Sequence, residues 1–142
     1  MAKAEGIPPT ASVVVPGLSL NYVGEWAYAM SGTVSASFNS ETTLLEFTSG
    51  VGVYDAIFSF GINDVEMDSA TAVEFFIYYN DVLSFYRRDE IQGGTGVTKS
   101  ATMVIPIPLI IPPMNEIKIS GKQSDGTAHD MYAMLTGRVY DV

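Results

Sequence analysis

The sequence predicts an all-β protein: a single antiparallel β-sandwich of jelly-roll type, with about eight or nine strands and an extended amino-terminal arm. Three observations predict it. No stretch places apolar residues at i, i+3, i+4 and i+7 over three turns, so helical periodicity is missing. Short runs, apolar or alternating, recur with turn signals at intervals of ~8–15 residues. One stretch, Val73–Glu90 (VEFFIYYNDVLSFYRRDE), is rich in aromatic and β-branched residues on both sides of Asn80-Asp81, a pair that tolerates positive φ.

Residues 1–10 read as the arm and residues 11–142 as one sandwich domain. Within Met1–Thr10, Pro8-Pro9 forbids helix and removes two amide donors, which leaves a segment either frayed or laid across a neighbour. Ser12–Leu18 (SVVVPGL) is a short strand closed by Pro16-Gly17. Over Gly24–Asn39, Trp26, Tyr28, Met30, Val34, Ala36 and Phe38 share one parity, against Glu25, Ala27, Ser31, Thr33, Ser35, Ser37 and Asn39 on the other. An apolar and a polar face held in phase mark a half-buried strand. Gly32 falls on the apolar parity and signals a bulge, a bend or a turn. Thr42–Thr48 and Val51–Phe60 are further strands, and Gly61–Ala72 is an acidic loop leading into the hairpin.

With Asn80-Asp81 as turn centre, Tyr79 faces Val82, Phe76 faces Phe85 and Glu74 faces Arg87. Phe76, Tyr78, Leu83 and Phe85 then share one face, and Phe75, Ile77, Tyr79 and Tyr86 the other. Neither face is polar, so both need cover, from a second sheet and from a loop or another subunit. Gln92–Gly96 is a glycine-rich loop and Thr98–Ile105 a strand. The prolines at 106, 108, 112 and 113 put the next segment at a sheet edge or outside the sheets. Glu116–Gly121 alternates with Ile117 and Ile119 inward, Asp125-Gly126 is a hairpin signal, and Ala128–Asp141 closes the chain as a long strand of mixed parity.

At 142 residues one domain buries ~68–70% of its unfolded surface without metals or disulfides. The chain has no cysteine, which excludes thiol chemistry, zinc-thiolate sites and a disulfide framework. Only 16% of residues are charged against 47% hydrophobic, a balance that points to surface buried in an assembly. A net charge of −9, from seven basic and sixteen acidic residues, argues against nucleic acid. The longest apolar run, Met103–Met114, is too short and proline-broken to span a bilayer, and MAKAEGIPPTAS lacks a signal-peptide core, so a soluble chain made in the cytoplasm is expected.

Candidate chemistry is sparse. His129 is the only histidine, and its neighbour Asp130 points to the opposite face of a strand, so no catalytic residue is expected. Asp64, Glu66 and Asp68 are the one acidic cluster suited to a cation, although an extended chain spaces their side chains ~6.8 Å apart. Gln92–Gly96 carries no nucleotide signal. Trp26, Tyr78, Tyr79 and Tyr86 offer a stacking platform for sugar, with core or interface packing the competing use. No cofactor is expected. The candidate contact residues are Pro8 and Pro9 in the arm, Phe76, Tyr78, Leu83 and Phe85 on the hairpin, and Ile107, Leu109, Ile110 and Ile111 in the proline-rich segment.

VEFFIYYNDVLSFYRR, followed by MVIPIPLIIPPMNEIKISGK, the SDGT turn and the closing strand, resembles the small β-sandwich virion proteins of tailed bacteriophages, the head-decoration or cement proteins and related attachments. The resemblance covers Val73–Asp141. It implies a structural, non-enzymatic virion protein on the capsid exterior, synthesised in the host cytoplasm. It implies a trimer or other homo-oligomer that contacts a major capsid protein, with neither nucleic acid nor membrane as partner. The alternative is a carbohydrate- or receptor-binding module of a tail or fibre, built on the same sandwich.

Overall fold

The computed structural model describes residues 20–66, 71–91, 98–102 and 106–140. Eleven strands run through them: β1 (Asn21–Val23), β2 (Trp26–Met30), β3 (Val34–Ala36), β4 (Thr42–Thr48), β5 (Val53–Glu66), β6 (Thr71–Tyr79), β7 (Val82–Ile91), β8 (Thr98–Thr102), β9 (Ile107–Ile111), β10 (Glu116–Gln123) and β11 (His129–Tyr140). Seven form one antiparallel sheet, β1-β2-β11-β5-β8, in which β3 also pairs with β11 and β9 with β5; the second sheet is β4-β10-β6-β7. The arm Met1–Thr10, the strand expected at Ser12–Leu18 and the loop Gln92–Gly96 lie outside the described residues.

Two columns of the larger sheet are single strands interrupted: β2 and β3 lie end to end along β11, and β9 and β8 along β5. Counting each once and setting β1 aside leaves eight successive strands. Their spatial order is first-eighth-third-sixth in one sheet and second-seventh-fourth-fifth in the other. First pairs with eighth, second with seventh, third with sixth and fourth with fifth, as when one long hairpin is wrapped around a core. That is the jelly roll, two sheets linked by Greek keys.

The core lies between the sheets. Phe60 of β5 stacks on Phe75 of β6 at 4.9 Å and 23°, joining the two layers. Tyr54, Phe58 and Ile62 come from the larger sheet and Leu44, Phe47, Ile77, Ile117 and Ile119 from the smaller, all fully buried. Packing forbids a side chain at Gly137: a Cβ there would lie 2.8 Å from the Asp55 carbonyl oxygen and 2.9 Å from Ala56 Cα. Its register partners across the sheet are Ala27 and Ala56, so one inward row is built from small residues.

Outside the central hairpin, four details depart from the sequence reading. The large residues of β2 face outward: Trp26 and Met30 keep 56% and 54% of their surface exposed, while Ala27 and Ala29 are buried. Parity changes at Gly32 (φ 67°), which separates β2 from β3, so Ala36 turns inward and Phe38 stays exposed. The expected loop Gly61–Ala72 is strand as far as Glu66 and again from Thr71, because the ladder with β11 runs on through Asn63. The closing strand alternates strictly, with His129, Met131, Ala133, Leu135, Gly137 and Val139 inward.

The central hairpin turns at Asn80 (φ 50°) and Asp81 (φ 64°), as the sequence indicates. Tyr79 faces Val82 and Tyr78 faces Leu83, but a bulge then shifts the register: Ile77 faces Phe85, Phe76 faces Tyr86, and Glu74 faces Arg88 rather than Arg87. An extra residue on one strand swaps every later side chain to the other face. Phe85 therefore packs against the core and Tyr86 joins the outer face.

Candidate functional site

The outer face of the smaller sheet carries an aromatic cluster. Phe76 lies 5.2 Å from Tyr86 and 6.3 Å from Tyr78, ring centroid to centroid, and Lys118 Nζ sits 4.7 Å over the Tyr78 ring. The phenols are already committed: Tyr78 donates to Glu41 and Tyr86 to Glu74, each at 2.7 Å. Partial burial and then the Glu41 acceptor push the Tyr78 hydroxyl up to about 12, and the bond to Glu74 raises that of Tyr86. Beside them Leu83 is exposed. Ser120, opposite Phe76 in the β6–β10 ladder, is buried and its hydroxyl has no hydrogen-bond partner.

The outer face of the larger sheet is more apolar. Register sets Trp26 beside Arg138, then Asp55 and Ile110; the next outward row is Tyr28, Thr136, Ile57 and Pro108; the next is Met30, Met134 and Ser59. The second and third of these rows hold no charged residue. Arg138 at the margin donates to Glu25 at 2.9 Å and lies 5.3 Å over the Tyr140 ring. A shallow apolar depression of about 270 Å³ opens at the Met30 end, lined by Met30, Gly32, Thr33, Tyr132, Ala133 and Met134.

A buried polar cluster closes the β10–β11 turn. His129 Nε2 and Asp125 Oδ2 are 2.7 Å apart with both side chains almost fully covered, and Thr127 Oγ1 donates to the same carboxylate oxygen at 2.8 Å. Gln123 Nε2 donates to the carbonyls of Ala36 and Thr127. Burial would raise the Asp125 carboxyl, but the bonds from His129 and Thr127 outweigh it and hold it below its ordinary value. A nucleophilic triad needs hydroxyl and carboxylate on opposite ring nitrogens. Here the Thr127 hydroxyl, 3.4 Å from Nε2, and the carboxylate meet the same nitrogen, which is the geometry of a turn clasp.

The residues singled out from sequence do not assemble into one site. Phe76, Tyr78 and Leu83 share the smaller sheet's outer face, and Phe85 leaves it. Ile111 is fully buried and Ile107 and Leu109 pack on the core, while Ile110 is exposed. The sugar platform does not form from its four members: Trp26 is on the other sheet, and Tyr79 points inward, where its hydroxyl donates to the Ile110 carbonyl at 2.9 Å. Asp64 and Glu66 lie on β5 with a register shift between them, and Asp68, like Pro8 and Pro9, lies outside the described residues. Sequence reasoning missed the Trp26–Ile57 surface and the Asp125 partner of His129; the paired alanines at 27 and 29, small residues alternating with large, were the available signal for the first.

The fold defines a double-sheet jelly roll, an architecture shared by viral capsid and lectin domains. No protein-family model matches the chain, and no curated protein matches it in sequence. Solved structures do match in fold. A chain in the structure of infectious bursal disease virus Gx strain superposes with a TM-score of 0.52 at 11% identity, covering 80% of this chain and 33% of that one. For the Gt strain the values are 0.51 and 12%, with 80% and 33% covered. A chain of the infectious bursal disease virus VP2 subviral particle gives 0.47 and 13%, with 82% and 37% covered. The present chain thus spans about a third of the length of those chains, and for the two strain structures, at 11% and 12% identity, the likeness is one of fold.

Proposed function

We propose that this chain is a structural component of a virus particle, acting through self-association and contact with a shell protein rather than through catalysis. One observation carries the reading: both outer faces of the sandwich present apolar side chains, with Leu83 and Tyr86 exposed beside half-buried Phe76 and Tyr78 on one and Trp26, Tyr28, Met30 and Ile57 exposed on the other. Such surface is a liability in a free monomer and is used in an assembly. The fold likeness to chains of a virus supports it.

In its finer form the reading is a decoration or cement protein on the outside of a phage head, contacting a major capsid protein as a homo-oligomer. A charge of −9 suits an outer surface, since packaged DNA would repel it. The arm Met1–Thr10 and the segment Ile105–Pro113 serve as the clamp; on the second, Pro106, Pro108, Ile110, Pro112 and Pro113 are exposed. Light scattering and negative-stain microscopy of the full chain test the reading. Self-assembly, or binding to preformed heads, is expected, and deleting residues 1–10 should abolish either one without lowering the melting temperature. A micromolar monomer that binds no shell overturns the proposal, and a truncated chain that unfolds assigns the arm to the domain's own core.

A second reading, a carbohydrate- or receptor-binding module, is favoured only by the outward-facing Phe76–Tyr78–Tyr86 cluster, of which Tyr86 is exposed. Saturable glycan-array binding lost in Tyr78→Ala would establish it.

A further inference from the structure

We propose that the outer face of the seven-stranded sheet is a two-fold interface between copies of this chain, in which Trp26 of each copy enters the depression at the Met30 end of the other. The inference rests on the self-association proposed above and assigns it a surface and a geometry.

The face is self-complementary. Its knob, Trp26, and its hollow, lined by Met30, Gly32, Thr33, Tyr132 and Met134, lie at opposite ends of β2, about 13 Å apart along the strand. A two-fold axis between two such faces, crossing the strands near Tyr28 and Thr136, reverses strand direction. It carries each Trp26 to the end where the partner's hollow lies, so one contact is made twice, as an isologous interface requires. The hollow is apolar and has room for one indole ring, and the strands of the two copies would run close to antiparallel, a packing that sheets adopt face to face.

Charge selects the occupant. Each copy carries −9, so nucleic acid or an anionic membrane is repelled, and two copies approach best through a surface free of carboxylates. The Trp26 row brings Asp55 to one edge, set beside Arg138, which also holds Glu25; the rows Tyr28-Thr136-Ile57-Pro108 and Met30-Met134-Ser59 meet that condition. The aromatic cluster on the smaller sheet does not, since Glu41 and Glu74 are hydrogen-bonded into it. Five strand columns by six residues give a projected area of about 20 × 20 Å. That is roughly half of the ~800 Å² each partner contributes to a stable complex, which places the contact among small, weakly associating interfaces.

The chain has a single tryptophan, so its fluorescence reports this contact alone. Sedimentation equilibrium of the full chain should show the mass rising from 15.3 kDa to at least twice that over ~1–100 µM, with Trp26 emission moving to the blue over the same range. Trp26→Lys, at an exposed position, and Thr33→Arg, at the rim of the hollow, should each weaken association at least tenfold at unchanged melting temperature. The proposal is overturned by a constant 15.3 kDa, by doubling with unshifted emission, by concentration-independent blue emission from a monomer (residues 1–19 would then cover the face), or by association that survives Trp26→Lys. If it survives Trp26→Lys but not Leu83→Lys, self-assembly stands and this interface fails. If the chain neither associates nor binds a shell, both fail.

Discussion

At Asp125 one carboxylate oxygen accepts from both His129 and Thr127 and so fixes the turn that feeds the last strand. Its folded-state pKa is lowered from 3.8, so the unfolded chain takes up the proton more readily. The stabilisation is therefore complete above pH 3.8 and is lost as pH falls through the lower folded value. Asp125→Asn should flatten that acid limb, and chemical denaturation from pH 5 down to pH 2 checks it. Ser120 gives the opposite case: a buried hydroxyl without a partner costs about 1 kcal/mol or more, so Ser120→Ala should stabilise by ~1 kcal/mol in urea unfolding. His129 was readable from sequence as a strand residue beside a turn. Its partner was not, because adjacency directs attention to Asp130, and only the folded Ser124–Thr127 turn returns Asp125 to the ring.

Among the elements, the central hairpin shows how far pattern reading reaches. Turn position follows from Asn80-Asp81, but a bulge leaves no mark in an alternating run, and the aromatic pairs fit either register. The shift changes an expected outcome. Glu74→Lys should cost ~0.2–1 kcal/mol, from its place opposite Arg88 and the lost bond from Tyr86. In double-mutant cycles, Arg88→Glu should recover the cross-strand charge part of that loss, though not the part carried by Tyr86, and Arg87→Glu should recover none, since Arg87 is held by Asp89 at 2.6 Å. Equal recovery by both, or recovery by Arg87→Glu alone, would refute the bulged register. Arg87 and Asp89 also lie on the parity of β7 that contains Phe85, facing the core side of an edge strand, where charge discourages addition of another strand. In the central β5–β11 pair, Gly137→Ala meets backbone atoms at 2.8 and 2.9 Å and should cost about 1–3 kcal/mol, measurable as a fall in urea midpoint.

For the whole molecule, the sandwich of jelly-roll type was accessible because turns, proline placement and the absence of helical periodicity leave few alternatives for a chain this long, whereas the strand order comes only from the pairing in the structure. Which face of each sheet is wet was harder to read. Period two separates two sets of residues without saying which is inside; in β2, Ala27 goes in on the row of small residues it shares with Gly137 and Ala56, and Ala29 follows in phase opposite Leu135. The same ambiguity governs the proline-rich segment, where neighbouring isoleucines divide between core and surface. Ile111 is fully buried opposite Tyr54, and Ile110 is 56% exposed opposite Asp55. Ile111→Ala should therefore cost about 2–5 kcal/mol, through lost transfer energy and the cavity left behind. Ile110→Ala should stay within about 0.5 kcal/mol, as surface substitutions do. If the segment is also a contact between subunits, Ile110→Ala weakens assembly at unchanged melting temperature, whereas any assembly defect of Ile111→Ala tracks its loss of fold. Thermal unfolding alongside light scattering separates the two, and an Ile110→Ala chain that assembles as well as the parent removes this segment from the clamp.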